Sequence, residues 1–516
     1  MKKLLSFVLS FVLIFTLCSC AQNGNSQQTS NAVSNAKQDP FEMSLLYCES
    51  DTINPYTAVT NINIQLCQLL FDPLFKINNE FEAVNCLAQS IEISDKTCSV
   101  IIKNASFSDM TNVTADDVVY SFNLAKNSNT VFKDQLKEVV SCVAKDIKTI
   151  VFTLKKSDQY FANLLDFPII KKDSDKQTTS DGALIPPIGC GRFIFNDTEI
   201  VLNPNERYHG EKSNVKKIKL INAPDSESVS HYVEVGATDI YYTSLNDGEI
   251  FQMSSKKVSV PLNNLVYIGV NQNYAPLSNV YLRYAISAAI DRTKISTSAY
   301  HTNAIAATGV FHPNFSDSEK YQAIEKTANT KISIENLEKI GYNSVDVGKK
   351  LSLTILVNKE NEFRISAAEL IREQLKNVGI NATVIKTDFA NYKSRLASGD
   401  FQLYVGEVRI LNNMDVTELV VPGGSSAFGV KETIQTDTPE KPEETVIDYS
   451  KISDIINGFY SGKNTIADIV TATQTQMPII PICFRNGLLF HKEEIGENIK
   501  ASVSDVFFDI NKYTKK

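Results

Sequence analysis

The sequence predicts an α/β protein made of two or three subdomains, and three observations carry that reading. Strand-like runs and helical stretches alternate through most of the chain. A strand–helix–strand unit stands out: Leu351 to Val357 reads as a strand, Ala367 to Val378 as a helix stopped by Gly379, and Ala382 to Lys386 as the next strand. At 516 residues the chain is too long for a single hydrophobic core.

The elements follow in order. Met43 to Tyr47 reads as a short strand and Asp51 to Tyr56 as a turn. Ile64 to Leu70 is helical, and Phe71-Asp72-Pro73-Leu74-Phe75 leads into a hairpin. Thr97 to Ile102 and Thr149 to Leu154 read as strands. Between them, Thr114 precedes Asp116 and Asp117, an N-cap hydroxyl followed by acids at the positive end of a helix. Val118, Phe122 and Leu124 mark that helix's buried side. The pattern restarts near Leu265. Val266 to Val270 reads as a strand and Val280 to Ile295 as one amphipathic helix. Phe401 to Val405 reads as a strand, Thr433 to Val446 as an acidic, Pro-containing surface loop, and Met477 to Phe484 as a central strand. There is no internal repeat.

The first residues carry an address. Lys2 and Lys3 precede an apolar run from Leu4 to Leu17, long enough for a signal segment and short for a membrane span. Leu17-Cys18-Ser19-Cys20 resembles a bacterial lipobox, which implies removal of residues 1–19 and lipidation at Cys20. An ordinary secretory signal cut near Ala21 is the alternative. Residues 20–40 are rich in Gln, Asn and Ser and nearly free of large apolar side chains, so they read as a flexible tether. The expected location is the extracytoplasmic face of the cell membrane, held there by lipid.

Composition narrows the function. Apolar residues make up 43% and charged residues 21%, as in an ordinary globular protein. The net charge of −8 argues against nucleic acid and against an electrostatic membrane-binding face. After Cys20 there remain Cys48, Cys67, Cys86, Cys98, Cys142, Cys190 and Cys483, without a close CxxC pair and mostly within apolar stretches. They read as buried free thiols rather than a disulfide framework.

Several segments then resemble one family. Asn54-Pro55-Tyr56, Phe71 to Phe75, Leu87-Ala88 with Ile91 to Ser94, and Phe107-Ser108-Asp109 with Thr114 to Phe122 come first. Pro187 to Phe193, Asn203 to Tyr208, Gly236 to Asp239, Arg283 with Ala285 to Arg292, and Pro478 to Phe484 follow in the same order as in that family. The chain resembles extracytoplasmic solute-binding proteins of ABC transporters, family 5, the class that binds oligopeptides, dipeptides and nickel. The resemblance implies an α/β, bilobal, periplasmic-binding-protein-like fold (type 2, cluster C). Lobe one would span 41–265, with an extra subdomain at about 61–186, and would be completed by 475–516, while lobe two would span 266–474. Ligand would lie in the cleft and be buried by closure. The implied partners are a peptide or other small solute and the permease and ATPase subunits of an importer. A monomer is expected, with no cofactor, no resident metal and no catalytic residue.

The resemblance also marks a departure. In the family an acid just after a Gly-Trp pairs with the peptide's amino group. Here the Trp position is Glu407, the acid position is Ile410, and the chain has no Trp. Glu407 and Arg409 stand two apart on a strand and so share a face. Together they would either meet a cation and a carboxylate in the cleft or pair with each other on the surface. Asp415 reads as a turn or helix cap or as a ligand contact, and Asn412 lies in the same stretch. Tyr47 and Asn54, at the end of the first strand, and Tyr267 and Asn271, where a strand enters lobe two, are further candidate ligand contacts, with hinge packing as the alternative for the last two.

Three rivals remain in view. An enzyme is disfavoured because HExxH, GxSxG and GxxxxGK[ST] are absent, and Gly189-Cys190-Gly191 reads as a tight turn. A metal carrier needs clustered ligands, and the five His residues are scattered. A receptor that senses a peptide instead of feeding transport has the same sequence signature.

Overall fold

Lobe one grows from the strand Phe41–Tyr47, on which Phe41, Met43 and Leu45 alternate into the core. In a computed structural model this strand pairs in parallel with Val215–Asn222, which continues antiparallel through Val201–Pro204 to Phe193–Asn196. The helix Asn61–Leu70 packs on this sheet. The residues described are 40–516, apart from 181, 183–184, 247–254, 317, 322–323, 343–350, 432, 439–440, 449 and 497–498. The expected signal peptide, Cys20 and the tether up to residue 39 therefore lie outside the described residues. Among the described residues no helix is long and apolar enough to cross a membrane.

Inside the interval 61–186 stands a separate antiparallel sheet in the order Ala88–Ser94, Thr97–Ile102, Thr149–Leu154, Val139–Ala144. The helix Ala115–Asn127 packs on it. Its start is a reciprocal cap: Asp117 Oδ2 accepts from the Thr114 backbone N–H at 2.9 Å. Val118 and Phe122 are buried and Leu124 partly so.

The second body is a seven-stranded sheet. Its order is Ile240–Thr243, Ile479–His491, Lys256–Val270, Leu403–Arg409, Ser352–Asn358, Asn381–Thr387, with Ala304–Ala306 added on Ile479–His491. The strand–helix–strand unit forms as expected from its sequence, with the helix Glu362–Lys376 between two parallel strands and Gly379 at φ +86° in the turn.

Three sequence expectations change. The single helix over 280–295 is two, Val280–Ala289 and Arg292–Ser298. Ile290 is extended, and the Asp291 carboxylate accepts from Lys294 N–H at 2.7 Å, so a local cap outcompetes helix continuation. The acidic stretch at 433–446 is not a plain loop: Thr433–Thr438 and Lys441–Asp448 pair as an antiparallel hairpin. Its Thr, Ile and Val residues supply strand propensity that the acids and Pro residues masked. The last strand, expected in lobe one, runs through both cores: within the seven-stranded sheet it is flanked by Lys256–Val270 and Ile240–Thr243, with Ile480 and Ile482 in the second core and Leu489 in the first. Beyond it, Ile495, Ile499, Val506 and Phe507 also join the first core.

Two long strands link the lobes. Along Lys256–Val270, Val260 packs in the first core and Val266 and Ile268 in the second. Along Ile479–His491, Leu489 belongs to the first core and Ile480 and Ile482 to the second. The expected boundary at 265/266 falls inside the first of these strands, beside a register shift between Pro261 and Leu265. A bulge there bends the strand where it passes between cores.

Candidate functional site

The bulge at Pro261–Leu265 lies opposite the end of the strand Leu403–Arg409, and the two are tied together there. Ile410 N–H donates to Asn263 O at 2.9 Å, and Asn263 Nδ2 donates to Asn412 Oδ1 at 3.0 Å. Residues 407–415 thus leave the second sheet in a fixed direction, toward lobe one.

The structure separates Glu407 from Arg409. Glu407 Oε1 accepts from Arg485 Nε at 2.7 Å and from Asn264 Nδ2 at 2.8 Å. The Arg485 side chain is 2% exposed and also donates to Ser244 O and Leu245 O, so Glu407 is committed to an internal pair. The Arg409 side chain makes no hydrogen bond or salt bridge to any described residue. It is open to water in a cavity yet crowded by protein, and that burial lowers its affinity for a proton, opposed by the field of Asp166. It remains a cation throughout the ordinary pH range.

The other sequence candidates are placed as follows. Tyr47 is buried against Phe195, and burial raises its hydroxyl pKa. Asn54 Oδ1 accepts from Tyr56 N–H at 3.0 Å within a turn. Tyr267 is 3% exposed, its hydroxyl 3.2 Å from that of Tyr404, and burial pushes it up to about 12. Asn271 Nδ2 donates to Gly399 O and Phe401 O at 3.0 and 2.7 Å. Asp415 Oδ1 accepts from Thr417 N–H at 2.9 Å, closing a turn that leads into the helix Thr417–Val420. These five side chains are engaged within their own neighbourhoods and are not gathered around one space. Ile410, at the position of the family's clamp acid, is 3% exposed and belongs to a hydrophobic cluster.

Asn412 and its neighbour Asn413 reach across to two aspartates of lobe one. Asn412 Nδ2 donates to Asp166 Oδ2 at 2.8 Å, and Asn413 Nδ2 to Asp158 Oδ2 at 2.9 Å. Burial pushes the Asp166 carboxyl up to about 6, against the pull of Arg409 and hydrogen bonds from Gln135 and Asn412. Burial likewise pushes Asp158 up to about 6.

Arg409 and Asp166 line a cavity of about 520 Å³ between lobe one and the end of the Leu403–Arg409 strand. Its wall includes Val59, Ile64 and Val131, which are 79%, 42% and 43% exposed. Apolar side chains left open to water beside a charged pair are what an amphipathic ligand covers. Sequence reasoning found Arg409 and missed Asp166 and Arg485. Each of the two is a lone charge in an apolar run, Leu164-Leu165-Asp166-Phe167 and Cys483-Phe484-Arg485, a pattern that signals a charge with a specific partner or task.

A denser charge cluster shares the cavity's lining through Lys76 and Asp505. Lys76 Nζ sits 2.9 Å from Asp505 Oδ2 and 3.4 Å from Asp72 Oδ1, and Arg192 Nη2 sits 2.7 Å from the same Asp505 oxygen. His209 Nε2 lies 2.8 Å from Asp72 Oδ2. Burial alone would raise the Asp72 carboxyl, but Lys76, His209 and Arg192 together hold it well below the usual carboxylate range. Asp72, Cys86 and His209 bring potential metal-ligating atoms within 4.8 Å of one another. The donor set fits a cation poorly: Lys76 and Arg192 already balance the acids, and burial keeps the Cys86 thiol protonated. All seven cysteines among the described residues are free and buried.

Residues 82–419 match the family described as bacterial extracellular solute-binding proteins, family 5 middle, and the chain belongs to that family. It is similar to an ABC transporter peptide-binding protein of Brucella ovis, 26% identical over 343 residues, covering 63% of this chain and 64% of that protein. It is also similar to the oligopeptide-binding protein AppA of Bacillus subtilis, 23% identical over 432 residues and 76% of each chain. Among solved structures, the ABC transporter substrate-binding protein CtaP of Listeria monocytogenes superposes with a TM-score of 0.69 at 20% identity, covering 93% of this chain and all of that one. The fold is the bilobal α/β fold of these binding proteins.

Proposed function

We propose that this protein is the substrate-binding component of an ABC importer and that it captures a peptide between its lobes. It has no catalytic role; the ATPase subunits of the transporter supply the energy, and the permease receives the ligand. One observation carries the reading: the cavity pairs an exposed apolar wall on lobe one with an uncommitted guanidinium, Arg409, delivered from the sheet of lobe two. An apolar wall suits peptide side chains, and a planar fork of donors suits a carboxylate. The peptide-binding names of the relatives from Brucella and Bacillus support the same ligand class.

The protein acts as a monomer on the extracytoplasmic face, held through lipid on Cys20 and the tether behind it. A diacyl anchor meets the two-chain requirement for stable attachment.

Native mass spectrometry of the gently extracted full chain tests the ligand. Adducts at peptide masses that vanish on denaturation are the expected result. A single non-peptide mass, or no adduct together with peptide libraries that fail to raise the melting temperature, overturns it. Near 100 times Kd a true ligand stabilises by about 2.7 kcal/mol. Loss of radiolabelled palmitate incorporation in the Cys20→Ala variant tests the anchor.

A further inference from the structure

Asp166 faces the cavity between buried apolar neighbours. Leu165, Phe167 and Ile169 are 0% exposed, while Asp166 and Pro168 between them line the cavity. The chain leaves the short helix Phe161–Leu164 at Leu165 and bends at Phe167, and with the three apolar side chains buried the acid is the one that faces the cavity. The backbone is held in place, with Leu165 O accepting from Phe75 N–H and Ile169 N–H donating to Asp72 O.

The carboxylate is positioned but not neutralised. Oδ1 accepts from Gln135 Nε2 at 2.9 Å and Oδ2 from Asn412 Nδ2 at 2.8 Å. A carboxylate has about four acceptor sites, so about half remain open. Both donors are neutral, and Asp166 has no salt bridge to any described residue. A half-buried acid held only by amides costs stability that a neutral Asn would avoid while keeping much the same bonds. The charge therefore points to something that arrives from outside. Arg409, in the same cavity, is near enough to act on Asp166 through space without pairing with it.

We propose that Asp166 and Arg409 form a two-charge clamp for a short zwitterionic peptide: Asp166 on lobe one receives the ligand's ammonium, and Arg409 from lobe two receives its carboxylate. The clamp rests on the peptide reading above and sharpens it to a ligand whose two charges lie close enough to meet both residues. Each lobe contributes one charge, so a ligand gains both contacts only by bridging the lobes. Asn412, bound to Asp166 and three residues beyond Arg409, couples the two halves. Gln135 and Asn412 are positioning residues.

The test is calorimetric titration of the purified full chain with di-, tri- and tetrapeptides of Val and Ala. Each peptide is used with free termini, N-acetylated and C-amidated. Acetylation is expected to weaken binding by about 10- to 100-fold, the range of a hydrogen bond to a charged group. Asp166→Asn is expected to weaken free-amine peptides by the same factor and acetylated peptides hardly at all. C-amidation and Arg409→Gln should show the same non-additivity. Equal binding of free and acetylated peptides by the unaltered protein overturns the clamp, and this arm needs no variant, so misfolding cannot mimic it. An Asp166→Asn loss that is equal for both forms also overturns it. If no peptide binds the unaltered protein, the peptide reading falls and the clamp with it; if peptides bind regardless of the amine, the clamp alone falls.

Discussion

The lower cluster, which reaches the cavity through Lys76 and Asp505, and the upper pair of Asp166 and Arg409 use similar charges in opposite ways. Below, Asp72, Lys76, Arg192, Asp505 and His209 are all matched inside the protein. Above, Asp166 has amide donors but no cation within pairing distance among the described residues, and the Arg409 side chain has no hydrogen bond or salt bridge to any described residue. Buried charges are tolerated when they are paired and hydrogen-bonded, so the lower cluster explains itself as part of the fold. The upper pair does not, and a group that the fold leaves uncompensated is available to a ligand. The same contrast divides Glu407 from Arg409 on one strand: Arg485 takes the first and leaves the second.

The largest expected effect would break the contrast from below. Asp505→Ala strands Arg192 and Lys76 and should cost about 3–5 kcal/mol in urea unfolding. A loss near zero would mean that the lower cluster is not what holds the lobe. Arg485→Met leaves the Glu407 carboxylate without its cation and should cost about 3 kcal/mol by the same measure.

The next effect is a slope with pH. Asp158 and Asp166 have folded-state pKa values pushed up by burial to about 6. Unfolded, they titrate at about 3.9, so across roughly pH 4–6 the folded state binds more protons than the unfolded state. The stability they contribute is present below about pH 4 and is lost as pH rises through about 6. His312, buried and held near a pKa of about 3, has the opposite sign. Comparing the unaltered protein with Asp158→Asn/Asp166→Asn at each pH cancels that term. The unaltered protein should lose more stability than the variant between about pH 4 and about pH 7. An equal slope in the two would refute uncompensated burial at these acids.

Smaller effects sharpen the comparison. Asp415→Ala removes the turn hydrogen bond to Thr417 N–H that follows the Asn412–Asn413 crossing and should cost about 1 kcal/mol. Arg409→Gln should change the stability of the ligand-free protein by no more than about 0.5 kcal/mol, as for a side chain without a hydrogen bond or salt bridge to the described residues. Ligand-induced stabilisation should fall sharply in the same variant, the signature that separates the upper pair from the lower cluster.

The sequence by itself determined the local units. Periodicity, the Thr114–Asp117 cap and the Gly379 stop are short-range signals, and each produced the expected element because its physics is complete within a few residues. The ordered motifs from Asn54 to Pro478 were enough to point to the family and its fold. Only the tertiary structure decided which charges are spent and which are free. Glu407 and Arg485 are 78 residues apart, and Asp166 and Asn412 are 246 apart. No local pattern specifies such pairings, because they depend on how the two lobes bring distant segments together. The placement of the final strand has the same origin: the apolar run Ile479 to Phe484 reads as central in any sheet, and only the pairing of Ile479–His491 with Lys256–Val270 fixed which one.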